Sequence, residues 1–278
     1  MNDRRAYAVL GFQIAFLAFA TVFLMAPADR FFFSRWQWAR DLELPLGRPM
    51  IFVVAAILLA AIPALRRRCS AMLADPVRPG TRRHIPVGVL LNLITAAGAL
   101  GAFALWHWCV GGEPALARAM GERASHALEM EAALSTSSLV MFVFFGAAIA
   151  PVIEELVFRG MLYNAWTQAW GWVWGALGSA LVFGLFHGAV LPQFFSGLVL
   201  VCVVRRTGSL RGSIYTHAIF NLLLWYPFLG QLILPSGRST GEIHLWWPHL
   251  LCLALTLILL PWYMWSARDS RPASLFHG

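Results

Sequence analysis

The chain has 278 residues, 59% hydrophobic and only 12% charged, with thirteen Trp, twenty Phe and a net charge of +8. So much apolar sequence has no interior of this size to hide in, which excludes a water-soluble domain and points to a polytopic membrane protein. All 21 basic residues are Arg; they sit mainly in short connections and form no single solvated face, which argues against a nucleic-acid partner and for a lipid bilayer as the chain's surroundings.

The expected fold is all-α: one transmembrane helical domain over 1–278, about eight helices in a bundle around an intramembrane polar cavity. Arg4 and Arg5 precede the first apolar run, 7–26, which exceeds the core of a secretory signal and reads as a retained span. Further spans are expected at 49–65, 85–109, 138–163, 171–189, 192–204, 212–233 and 245–265. Two connections are long. Residues 29–49 mix Phe and Trp with Arg and read as lying along the interface, while 112–137 are rich in Ala and Glu and read as a surface helix. Neither carries a recognisable site. The sixth span offers about 13 residues, or roughly 20 Å of helix against a ~30 Å hydrocarbon core, so the 189–192 turn is expected below the outer surface.

An even number of spans puts both termini on one side, and the arginines choose which. Thirteen fall on the side of the termini and seven on the other, with Arg159 inside a span, so both termini are expected in the cytoplasm. Trp106, Trp108, Trp170, Trp172, Trp246, Trp247, Trp262 and Trp265 fall near span ends, as an interfacial belt requires. Cys69, Cys109, Cys202 and Cys252 have no metal or disulfide spacing and read as small buried apolar residues.

Within this apolar frame the stretch 151–160, PVIEELVFRG, stands out. Each charge near a bilayer centre costs about 2.5–3.5 kcal/mol on insertion scales, so Glu154, Glu155 and Arg159 need a partner or a function. Glu155 and Arg159, at i and i+4, share a helix face with the acid N-terminal, the favoured order for an ion pair. Glu154 points about 100° away and has no cation nearby in sequence. Two further polar pairs at helical spacing interrupt apolar spans: Phe183 with His187, and His217 with Asn221.

An unpaired carboxylate, two imidazoles and a carboxamide on three spans are the groups peptide hydrolysis uses. On that chemistry Glu154 and His187 activate a water, His217 and Asn221 supply donors to the oxyanion, and Glu155 with Arg159 supports the helix. Counted from the inner face, however, His187 lies about ten residues deeper than His217, a difference of ~15 Å for straight upright helices.

These residues resemble the CAAX protease and bacteriocin-processing family of glutamate-dependent intramembrane endopeptidases, whose motifs are EExxxR, FxxxH and HxxxN/D. Here they stand as Glu154-Glu155-Leu-Val-Phe-Arg159, Phe183-Gly-Leu-Phe-His187 and His217-Ala-Ile-Phe-Asn221, in order and on separate spans within an expected catalytic core at 138–233. The resemblance implies an eight-helix integral protein of the bacterial inner membrane that acts as an endopeptidase. Its substrate would be a membrane-anchored or C-terminally tailed protein or peptide, and the first Glu and second-motif His would activate water. It implies no cofactor and assigns no oligomeric state. Three rivals stand beside it: a zinc protease with Glu154, His187 and His217 as ligands, a proton-coupled transporter, and a non-catalytic immunity protein. The serine and aspartyl signatures G-x-S-G and G-x-G-D do not occur.

Overall fold

The computed structural model describes residues 3–17, 57, 61–133, 140, 143–187, 189–225 and 241–270. Of these, 91% are helical and none is in a strand. In chain order the helices are α1 (3–17), α2 (Pro63–Ala74), α3 (His84–Ala133), α4 (143–170), α5 (Trp172–His187), α6 (Val190–Thr207), α7 (Leu210–Trp225) and α8 (Trp247–Ser266). The expected second span, the 29–49 connection and the outer ends of the first and seventh spans lie largely or wholly outside the described residues.

Among the described residues, three stretches are long and apolar enough to cross a membrane: Pro79–Arg123, Val190–Thr207 and Ile243–Ser266. Helix α6 is the centre. Its run from Leu198 to Val204 is apolar on every side, and a helix of that kind is stable only when surrounded. Helices α3, α5, α7 and α8 all pack on it. Helix α8 is the opposite case, with only 22% of its apolar window buried, and its outward Leu257, Ile258, Trp262 and Trp265 form a face suited to lipid tails.

Small residues let α5 approach α6. A Cβ on Gly197 would stand 2.8 Å from that of Ala180, and one on Gly184 would stand 2.6 Å from the carbonyl oxygen of Val190. With little hydrophobic drive between helices in lipid, such close backbone approach is what makes their packing tight. This brings the end of α5, and His187 with it, hard against the start of α6.

Several expectations are corrected. Helix α6 has 18 residues, about 27 Å, which nearly spans a hydrocarbon core and removes the shortage that placed the 189–192 turn below the surface. Helix α3 includes residues 112–133 of the expected 112–137 surface helix as a second arm, the remainder lying outside the described residues. The arm turns back at Gly111 and Gly112, the latter at a φ of 64° that favours glycine, and packs Leu116 and Met120 onto Leu100, Ala104 and Trp246. Trp246 is therefore core and not part of an interfacial belt. Cys109 is exposed, unlike Cys69 and Cys202.

Arg205 and Arg206 are not loop charges. Arg205 is buried, with Nε donating to the Ala267 carbonyl at 3.2 Å, Nη2 to that of Arg268 at 3.0 Å, and its guanidinium 4.4 Å above the Trp172 ring. Arg206 donates to the Tyr263 carbonyl at 3.3 Å and also bonds Ser266. Both arginines thus satisfy carbonyls left open at the C-terminal end of α8, where a cation also meets the negative end of the helix dipole. Nearby, Ser209 donates to the Asp75 carbonyl at 2.6 Å and Arg211 to that of Leu73. The basic connections following α2, α6 and α8 therefore meet at one end of the bundle.

Candidate active site

Helix α4 carries the paired glutamates, and it is not a regular α-helix. Residues Phe145–Ile149 and Glu155–Tyr163 are π-helical, around an α-helical Ala150–Glu154. Proline explains the first widening. In a regular helix the Pro151 ring would clash with the carbonyl four residues back, and the wider turn relieves that clash. The Ala150 N–H then bonds the Phe145 carbonyl, and Pro151 has no N–H to offer the next one, that of Gly146. Asn221 fills the gap: its Nδ2 donates to the Gly146 oxygen at 2.8 Å. Single π turns of this kind recur at functional sites.

The second π segment opens on the charged residues. Glu155 and Arg159 form the expected ion pair, Oε1 to Nη1 at 2.8 Å, with side-chain exposures of 0% and 1%. The guanidinium also lies 4.2 Å from the centroid of Phe183, a buried ring on α5 that stands 4.4 Å from the His187 ring and 6.0 Å from that of His217. A cation over an aromatic face is favourable, more so when both are desolvated. Phe183 thus joins all three motifs through one ring.

Glu154 acquires the partners it lacks in sequence. Its Oε1 is 3.6 Å from Nε2 of His187 on α5, and its Oε2 is 3.7 Å from Nε2 of His217 on α7. The expected ~15 Å depth difference between these histidines is closed. Helices α5 and α7 share no extended interface and are joined through Glu154, which lies between their histidines. His187 is the open side of the cluster, its side chain 24% exposed against 4% for His217 and 6% for Glu154.

The other ring nitrogens are fixed. Nδ1 of His187 is 2.8 Å from the Phe183 carbonyl, an acceptor only, so that nitrogen carries the hydrogen. Nδ1 of His217 is 3.0 Å from Oε1 of Glu155 and donates to it likewise. Both rings therefore turn Nε2 toward the carboxylate of Glu154. At 3.6 and 3.7 Å these contacts exceed direct hydrogen bonds, and separations of that size suit groups bridged by a water molecule.

Sequence spacing pairs Glu155 with Arg159 alone. It does not reveal that Glu155 also orients His217, because a 100° offset on one helix sets the two glutamates apart when only local geometry is considered. One imidazole spans them by offering a nitrogen to each. Asn221 makes its described hydrogen bond to Gly146 and not to the other motif residues. Among the described residues no group of three His, Cys, Asp or Glu side chains is arranged to hold a metal ion.

Residues 136–223, about a third of the chain, match the family model described as Rce1-like, type II CAAX prenyl endopeptidase. The segment that carries the site is similar to that family. It contains all three motifs, so the resemblance drawn from those motifs is shown by an independent comparison. Neither a curated protein nor a solved structure matches the chain. The matched segment is similar to a protease family, and the apolar helices among the described residues suit an integral membrane protein.

One cavity lies partly in the matched segment and is lined by none of the motif residues. With a volume of about 840 Å³, it opens between α3, the start of α6 and the end of α7, and Arg123 from the second arm of α3 lines it. No sequence signal marks Arg123, since its place over the cavity depends on the reversal at Gly111 and Gly112.

Proposed function

We propose that the protein is a glutamate-dependent intramembrane endopeptidase that cleaves a peptide bond near the C-terminus of a membrane-associated protein or peptide. The observation that carries this reading is a nearly buried carboxylate, Glu154, within 3.6 and 3.7 Å of two imidazoles from two other helices, each held by its far nitrogen. Glu154, with His187, takes a proton from a water molecule. The hydroxide oxygen bonds to the scissile carbonyl carbon, and charge develops on the carbonyl oxygen. His217, as the imidazolium with its Nδ1 hydrogen kept on Glu155 and a second hydrogen on Nε2, and the second N–H of Asn221 donate to that oxyanion; losing one such donor typically costs about 10²–10³ in rate. As the C–N bond breaks, the proton passes from Glu154 by way of His187 to the leaving nitrogen, and the products are an acid and an amine.

Glu155 and Arg159 position His217 and Phe183 in this scheme and touch no reacting atom. We also propose eight membrane spans around a polar cavity at the motifs, with a motif-bearing core at 138–233. Both termini would face the cytoplasm of a bacterial inner membrane, as the arginine count supports. The active unit would need no metal or cofactor.

Membranes holding wild-type protein, Glu154→Ala, His187→Ala or Asn221→Ala test the reading, with short peptide products followed by mass spectrometry. The expected result is cleavage by the wild type, none by the first two variants at wild-type protein levels, and weak cleavage by Asn221→Ala. Full cleavage by Glu154→Ala would refute it. A peptide-independent ion or solute flux that requires Glu154 would point to a transporter instead.

A further inference from the structure

Asn221 can act as an oxyanion donor only if its carboxamide is held, because the last torsion of an Asn side chain is soft and an amide without a partner swings. Among the described residues one hydrogen bond holds it, from Nδ2 to the Gly146 carbonyl at 2.8 Å, across the contact between α7 and the first π segment of α4. A planar carboxamide fixed through one N–H has its second N–H fixed as well. That carbonyl is open for a reason of sequence. In a regular α-helix it would accept from residue 150, but the Ala150 N–H bonds Phe145 instead. In the π register it would accept from residue 151, and Pro151 has no N–H. Both backbone donors are missing because residue 151 is proline, and in lipid an open carbonyl takes the donor that a neighbouring helix offers.

We propose that Pro151 is a positioning residue for the oxyanion site: by leaving the Gly146 carbonyl without a backbone donor, it commits that oxygen to Asn221 and so aims the carboxamide. The reaction it serves rests on the endopeptidase reading, while the link from Pro151 through Gly146 to Asn221 rests on geometry alone. Pro151 precedes Glu154 and stands outside all three motifs. An alanine in its place restores a donor in either register. If the π turn stays, the new N–H reaches Gly146. If the helix rewinds to α, the N–H of residue 150 does, and Gly146 turns about 100° round the helix, away from its place against α7. A carbonyl oxygen has two lone pairs, so a competing backbone donor weakens the Asn221 bond more than it abolishes it.

The test is a double-mutant cycle in the full-length protein, with Pro151→Ala, Asn221→Ala and both together, read by thermal unfolding in detergent and by release of short peptide products from membranes. Asn221→Ala is expected to lower the melting temperature by about 2–4 °C, the worth of one hydrogen bond in a chain of this size, and by much less in the Pro151→Ala background, where the backbone supplies the donor. Product release should fall about tenfold in Pro151→Ala, less than the ~10²–10³ of a lost oxyanion donor, and Pro151→Ala should add nothing to the loss caused by Asn221→Ala. The α-hydroxy analogue of alanine, incorporated at position 151, has an ester oxygen where alanine has its N–H. It should restore most of the lost release, since it lacks the competing donor as proline does. Equal melting shifts in the two backgrounds, additive losses of release, or a Pro151→Ala protein that releases product like the wild type would each overturn the proposal. So would an α-hydroxy variant as impaired as Pro151→Ala, which would leave proline a role through its ring alone. The two readings fail separately. Full cleavage by Glu154→Ala, combined with a coupled melting cycle, would refute the catalytic reading and leave the link from Pro151 to Asn221 standing.

Discussion

Replacing Glu155 by Leu removes two contacts at once, the 2.8 Å ion pair to Arg159 and the 3.0 Å bond from His217. Were the pair on a surface, its loss would cost about 0–1 kcal/mol. It is not: exposures of 0% and 1% leave Arg159 with no water to turn to, and stranding one partner of a buried pair costs about 3–5 kcal/mol. The His217 bond falls within the same cluster and is not added separately. Glu155→Leu should therefore lower stability by about 3–5 kcal/mol in detergent-solubilised protein, measured by thermal unfolding. The double variant Glu155→Leu with Arg159→Met removes both charges and should recover most of that loss, since a neutral pair of similar volume often does as well as the buried ions. Recovery of stability should not restore cleavage, because His217 still lacks its anchor. Glu155→Gln keeps an oxygen for Nδ1 of His217 and should cleave measurably. A Glu155→Leu protein that melts with the wild type, or a double variant less stable than both singles, would refute this account.

Gly184→Leu should force α5 away from the Val190 carbonyl and cost about 1–3 kcal/mol as overpacking does, while lowering kcat because His187 moves with the helix end; thermal unfolding and peptide cleavage read the two effects. Arg205→Ala should cost at least one charge-assisted hydrogen bond, about 1.5–3 kcal/mol, and expose the end of α8 to limited proteolysis while cleavage at permissive temperature persists. Chelation by EDTA or 1,10-phenanthroline should leave cleavage unchanged, and metal analysis of active protein should find no stoichiometric zinc; inhibition reversed by added zinc would favour a metal centre instead.

The helices from 84 to 133 and from 143 to 266 are legible in the sequence because apolar runs and their punctuation are local signals. So are the pairs Glu155 with Arg159 and Phe183 with His187, which i,i+4 spacing puts on one face. What escapes is non-local. The reach of His217 to both glutamates depends on the packing of α7 against α4, and the Asn221 bond to Gly146 depends on a π turn that Pro151 provokes. Arg123 is invisible for the same reason, since a surface helix and an arm folded over a cavity have the same composition. Trp246 misleads because proximity to a span end does not reveal that a second arm covers it.

The polar motif side chains with the fewest options in lipid are also the ones with the most contacts, and those contacts hold the site in place. Arg159 touches Glu155 and Phe183; Glu155 touches His217; both histidines turn to Glu154. Every link joins two different helices or two turns of α4, so none of α4, α5 and α7 can shift against the others without stretching one of them. The charges that make insertion expensive therefore also fix α4, α5 and α7 relative to one another, a task the apolar α6 cannot perform with polar side chains, having none from Leu198 to Val204. Phe183, Glu155 and Arg159 thus act together, holding two Nε2 atoms on one carboxylate at the separation a water molecule needs.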